Sequence, residues 1–174
     1  MIQLWVNLPK KHKMHKPGYQ ALTADNIPVI PLTGRDDRTD GYIRVIAGEA
    51  NGTKGAATTF SPVNLWDVVI AKQGGEVALE VPAGHTTLVF GRKGGATFLE
   101  PDGSETKIEP QQMALLKPEG TTFTLRAPED DTQLVILTGE PLNEPIAARG
   151  PFVMNTQAEL RKANEDYRNG KMGR

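Results

Sequence analysis

Two of the chain's three histidines, His12 and His15, lie three residues apart in the basic run KKHKMHK at residues 10–16. That spacing would bring two imidazoles together on a helical turn, where they could begin a metal site, but would send them to opposite faces of a strand. The adjoining lysines repel a cation in either conformation. The run therefore reads as an exposed tether. Four lysines in seven residues could grip phosphates, yet such runs are more often solvated linkers, and nucleic acid is not an expected partner. The third histidine, His85, lies in GEVALEVPAGHTTLVFG at residues 75–91. Glu140 and Glu144 could form an acid/base pair, but each precedes a proline, which favours extended, solvated backbone. No serine nucleophile motif, phosphate-binding glycine loop or dinucleotide fingerprint is present. GRKGG at residues 91–95 falls between two candidate strands and reads as a hairpin turn.

A chain of 174 residues suits one domain, with or without a short appendage. The lack of cysteine excludes disulfides, thiolate metal ligation and a cysteine nucleophile, and agrees with a reducing cytosol. Twenty basic against 21 acidic residues leave a net charge of -1, so no global field draws the chain to phosphate backbones or anionic lipid. No apolar run approaches the roughly 20 residues that span a bilayer, and the N-terminal residues lack the order of a signal peptide. The expected location is cytoplasmic, with no membrane partner.

Eighteen glycines and 13 prolines punctuate short segments rich in β-branched residues, as in an all-β sandwich or barrel. Strands are expected at residues 2–7, 42–48, 56–60, 64–70, 76–81, 86–90, 96–99, 113–116, 121–126 and 132–138. Asn51-Gly52, Gly74-Gly75, Gly94-Gly95 and Asp102-Gly103 supply residues that tolerate positive φ in the turns between them. The alternation of EVALEV at 76–81 predicts a half-buried strand, and LVIL at 134–137 one buried on both faces. Thr156-Gln157-Ala158-Glu159 fits a capping box. The helix it starts would pack Leu160, Ala163 and Tyr167 on one face and stop at Asn169-Gly170. Residues 9–41 read as a connecting arm, and the proline-rich 139–156 as a strap crossing the barrel.

Two segments resemble cupin motifs. One such motif follows a Pro-x-Gly turn with His-x-His and then Glu, so that alternate side chains converge on a metal. Here Pro82-Ala83-Gly84 precedes His85, but Thr87 stands in the second position and no glutamate follows before Gly91. The other motif, Pro-x-Gly-x-x-His, reads Pro118-Glu119-Gly120-Thr121-Thr122-Phe123. A first-row metal usually takes three or four protein ligands, so the barrel is expected to be metal-free, with no cofactor and no catalytic residue. His85 then reads as a turn-flanking histidine bonded to backbone, and Phe123 as core filling. Together with Thr87 they are the candidates to line an interior small-ligand pocket.

A closer resemblance is carried by QLWVNLP at 3–9, PVNLWDV at 62–68, GEPLNEPIAARGPFVMNT at 139–156 and EDYRNGKMG at 165–173, with Lys13-Met14 and Tyr19-Gln20 in the arm. In order and spacing these are similar to the C-terminal half of the pirin family, whose members are bicupins. The resemblance implies a cupin-type double-stranded β-helix (jelly-roll) barrel at 42–155, an N-terminal strand and arm at 1–41, and a C-terminal helix and tail at 156–174 packed on the barrel. It also implies that the family's iron, held by three histidines and a glutamate of the N-terminal cupin, belongs upstream of the segment at which this chain begins.

The expected function is that of a pirin-like C-terminal cupin, metal-free and non-catalytic by itself, working through protein contact or small-ligand binding. The alternatives are quercetin 2,3-dioxygenase-like activity when paired with a metal-binding N-terminal cupin, or a transcription-related regulator. Leu4, Trp5 and Val6 are the candidate interface. They would support a homodimer by strand exchange, or pairing with a separate N-terminal pirin half.

Overall fold

The computed structural model describes residues 2–34 and 39–172. Residues 35–38 of the expected arm and 173–174 of the expected tail lie outside the described residues. The strands, in order, are β1 Val29–Thr33, β2 Thr39–Ala47, β3 Glu49–Ala50, β4 Thr53–Lys54, β5 Val63–Ile70, β6 Glu76–Glu80, β7 Thr86–Lys93, β8 Ala96–Leu99, β9 Glu105–Ile108, β10 Met113–Leu115, β11 Thr122–Arg126, β12 Thr132–Gly139, β13 Ala147–Arg149 and β14 Phe152–Met154. One helix, α1 Gln157–Arg168, follows them. The chain forms two compact units, Leu22–Pro141, and Met1–Ala21 together with Leu142–Arg174.

The larger unit is the expected all-β jelly-roll body. Six strands lie in the order β1-β2-β5-β12-β7-β10 and four in the order β6-β11-β8-β9. Every pairing within these two sheets is antiparallel. Their apolar faces share one core that includes Ile43, Val45, Trp66, Val77, Leu125 and Ile136. Strand period 2 explains it: Trp66, Val68 and Ile70 of β5 are buried on the core face, while Leu65 and Asp67 alternate with them. In β6 the same period buries Val77 and Leu79 and leaves Ala78 and Glu80 exposed. In β12, Leu134, Val135 and Ile136 are buried but Leu137 and Gln133 are half-buried, so the strand is closed on its core face and only partly covered on the other, where burial on both faces was expected. The indole N–H of Trp66 is buried without a hydrogen-bond partner.

The turns follow their chemistry. Asn51 and Gly52 both take positive φ, 46° and 75°, between β3 and β4, as a two-residue hairpin loop requires. Gly95 combines a φ of 69° with close approach of the Ile108 carbonyl oxygen, which any Cβ there would strike. Only glycine meets both conditions.

Several expectations need correction. Residues 2–7 form no strand, and residues 56–60 contribute only an isolated bridge between Ala47 and Ala57. The arm contains β1 and the start of β2. Pro31 concealed β1, since proline is tolerated at a sheet edge, which is where β1 lies. The strongly polar ETKI of β9 pairs with β8 and buries only Ile108, so it carried little apolar signal.

In the smaller unit, residues expected to be an irregular strap instead form a hairpin, with β13 and β14 paired across Gly150-Pro151. The capping box at Thr156 is complete. Its hydroxyl accepts from the Glu159 N–H at 3.2 Å, and the Glu159 carboxylate accepts from the Thr156 N–H at 2.9 Å. Helix α1 buries Leu160 and Ala163, whereas Tyr167 stays 64% exposed and meets Phe152 edge-on at 5.8 Å between ring centres. The helix stops at Gly170, whose φ is 66°. There the N–H groups of Gly170 and Lys171 donate to the carbonyls of Tyr167 and Asp166, which completes a Schellman motif.

Replacing Thr156 with alanine removes the hydroxyl acceptor and should cost about 1 kcal/mol. A lower denaturant midpoint with an unchanged slope would show it, and an unchanged midpoint would mean that the cap contributes nothing to stability.

Candidate functional site

Within the larger unit, a cavity of about 1360 Å³ is lined by Thr87 of β7 and Phe123 of β11, with Val81, Phe98, Ala114 and Leu116. Thr87 is 2% exposed. The rings of Phe98 and Phe123 lie 6.4 Å apart at a tilt of 37°, close enough to form an aromatic wall. Glu100, Asp102 and Glu119 stand around the cavity against the single ammonium of Lys117. Hydrogen bonding from Ser104 holds the Asp102 carboxyl below its usual range. Such a cavity suits an uncharged, partly apolar molecule better than an anion.

His85 is not among the residues lining that cavity. Its Nδ1 lies 2.8 Å from the Thr138 hydroxyl, a side-chain partner where backbone was expected. The order of the chain behind it can be assigned. The Glu49 N–H donates to Asn64 Oδ1 at 3.0 Å, so the Asn64 amide nitrogen faces Thr138, whose hydroxyl accepts from it at 3.1 Å. The Thr138 hydrogen is then free to point at His85 Nδ1, which accepts it in the tautomer protonated on Nε2. Burial lowers the His85 pKa below 6.5, and the nearby charge of Glu140 only partly opposes this. A metal does not fit these positions. Thr87 offers a neutral hydroxyl, Phe123 offers nothing, and the His85 nitrogen nearest the barrel's polar residues is committed to Thr138. Among the described residues, no group of three or more histidines and carboxylates is placed to hold an ion.

In the smaller unit, the basic run is built into the structure. Residues 10–12 form a 3-10 turn, and the Lys10 N–H donates to Glu144 Oε2 at 2.8 Å. Lys13 Nζ donates to Asn7 Oδ1 at 2.6 Å and to the Val153 carbonyl at 3.0 Å. His15 Nδ1 sits 2.9 Å from the Lys16 carbonyl. Glu144 also accepts from Asn155 Nδ2 at 3.1 Å, so it is a structural hub and not the solvated carboxylate expected. Leu4, Trp5 and Val6 are 41%, 75% and 56% exposed, in extended chain without strand pairing.

Sequence reasoning missed Asp67, which accepts from Arg44 and from Arg92, each at 2.8 Å. Arg44 also lies 4.6 Å from the ring centre of Tyr42. A lone aspartate inside the apolar NLWDVVI was the available signal. No helix among the described residues is long and apolar enough to cross a membrane.

Residues 65–173 match the family profile of the pirin C-terminal cupin domain. A solved structure of quercetin 2,3-dioxygenase from Acinetobacter baumannii is 47% identical, with a TM-score of 0.85 over 97% of this chain and 55% of that one. A Pseudomonas aeruginosa relative whose name invokes the same activity is 42% identical over 98% of this chain and 56% of its own length. Pirin of Rattus norvegicus is 36% identical over 99% of this chain and 56% of its own. The chain thus spans about half the length of the curated relatives it matches. Matched across most of its length by that domain profile, this chain belongs to the pirin family through its C-terminal cupin domain.

Proposed function

We propose that this cupin is metal-free and works through contact with a second cupin, a second copy of this chain or a metal-binding pirin half, and not through chemistry of its own. The observation that carries this reading is the apolar segment Ile2, Leu4, Trp5 and Val6, all of it at least 41% exposed. An indole left three-quarters open to water is the kind of anchor that dominates protein interfaces. The segment's extended backbone can pair with a partner strand while its side chains are buried against that partner, so strand exchange and side-chain burial act together. Since relatives are nearly twice as long, a second cupin in the same or a separate polypeptide is the natural cover. The lining of Thr87 and Phe123 adds room for a small uncharged ligand, and a cytoplasmic setting suits a chain without cysteine.

Light scattering across a concentration series should show a homodimer when no other cupin is supplied. Trp5→Ala should weaken it roughly 30-fold, the loss of an interface anchor of about 2 kcal/mol. A monomer at every concentration would count against the reading.

Dioxygenase activity, which the names of two relatives carry, needs a metal with open positions. Loaded with ferrous iron, this chain alone should consume quercetin no faster than iron in buffer, and turnover that tracks protein concentration would revive an enzymatic role.

His85 has a structural part in this reading. Its pKa is lowered on folding, so the unfolded chain binds the extra proton more readily. The stability that depends on neutral His85 is complete above pH 6.5 and is lost as pH falls from there toward the lowered native value. A His85→Gln variant should show a flatter melting profile through that window, and an identical acid slope in both proteins would assign the loss elsewhere.

A further inference from the structure

The two sheets of the barrel end in β1 and β10 on one side and in β6 and β9 on the other. A sheet edge presents unpaired N–H and C=O groups, and proline or charge along it discourages a further strand. β1 carries Pro31, β6 carries Glu76 and Glu80, and β9 carries Glu105 and Lys107. β10, Met113-Ala114-Leu115, carries neither safeguard. Among the described residues of the larger unit, the exposed large apolar side chains are Val29, Phe60, Met113 and Leu115. The last two stand on this one short strand.

The open backbone groups of β10 can be assigned. The Gly91 N–H donates to the Gln112 carbonyl and the Leu116 N–H donates to the Thr87 carbonyl, continuing the register that sets Ala114 against Val89. An antiparallel ladder bonds every second residue, so Gln112, Ala114 and Leu116 face β7. Met113 and Leu115 therefore turn their N–H and C=O groups away from the sheet, and their side chains are exposed as well.

The N-terminal segment is complementary to that edge. Residues 2–6 carry no charge and, among the described residues, make no backbone-to-backbone hydrogen bond. Asn7 beyond them is held by Lys13. The free length is about 17 Å when extended, against roughly 10 Å for β10, so the segment spans the whole edge. Strand period 2 puts Ile2, Leu4 and Val6 on one side and Trp5 on the other. With the first three beside Met113 and Leu115, Trp5 falls on the side of Ala114, a small residue at the edge of the barrel cavity.

We propose that β10 is the edge on which residues 2–6 of a second copy pair as an added strand, each copy donating its segment and receiving the other's. This rests on the cupin-contact reading above and names the surface that the segment takes when the partner is a second copy. Reciprocal exchange closes the assembly as a twofold dimer.

Light scattering of whole-chain edge variants tests it. Leu115→Lys puts a charge on the edge and should weaken the homodimer at least about tenfold. Leu115→Pro removes an outward N–H and no bond to β7, and should do the same. Val29→Lys, at an exposed position on the opposite edge, should leave the dimer unchanged. Circular dichroism and the melting midpoint establish that each variant is folded, and Leu115→Lys decides if the proline variant is not. An unchanged dimer in a folded Leu115 variant, or equal weakening by Val29→Lys, would overturn the proposal. A parent chain that stays monomeric overturns the cupin-contact reading and this one with it. A dimer weakened by Trp5→Ala and untouched by Leu115→Lys overturns this one alone.

Discussion

The barrel depends on β12, an interior strand paired along nearly its whole length on both edges. It pairs with β5 along Thr132–Gly139 and with β7 along Gln133–Gly139, and its core face, Thr132, Leu134, Ile136 and Thr138, is fully buried. A one-residue slip would move Leu134 and Ile136 out of the core and bring Val135 and Leu137 in their place. The incoming pair is also aliphatic, so the register is held by the fit of the core and by the polar start of the strand, where Gln133 would replace the buried Thr132. The polar end of the same strand inherits that register. Thr138 lies across from Asn64 on one side and Thr87 on the other, which places its hydroxyl where it can serve Asn64 and His85.

That placement ties polar side chains from several strands together at one end of the barrel. In a metal-bearing barrel, the ion holds side chains from several strands together at one end. Here neutral hydrogen bonds from Glu49 through Asn64 and Thr138 to His85 link three of the strands and the turn before β7. Phe98 and Phe123 wall the adjoining cavity with apolar surface. Such a network has no net charge to desolvate, so it avoids the penalty of a buried cation without its full complement of partners.

Much of this architecture could be read from residue order. Short β-branched and apolar runs between glycine and proline turns located β2, β5, β6, β7, β8, β10, β11 and β12, and the Thr156 capping box located the helix. The misses share a physical cause. Pro31 and the polar ETKI suppress the apolar pattern in strands that complete sheet edges, while QLWVNLP looks like a strand only if something pairs with it. The candidate residues divided in the same way. Thr87 and Phe123 reach one cavity from alternation along their strands, but the Thr138 partner of His85 lies 53 residues away, a contact set by sheet register and invisible to spacing. Asp67 was legible as a charge in an apolar strand, although its two arginine partners come from β2 and β7.

The two tryptophans divide the molecule's optical properties between its two units. Trp66, 2% exposed, sits in the barrel core, while Trp5, 75% exposed, stands in water in the smaller unit. A soluble quencher reaches the second and not the first, so quenching isolates the barrel's emission in the native protein. Loss of barrel packing would then shift the protected, blue component, whereas burial of the N-terminal segment would shield the quenchable, red one. With no cysteine to label, these two indoles supply separate native reporters of folding and of contact.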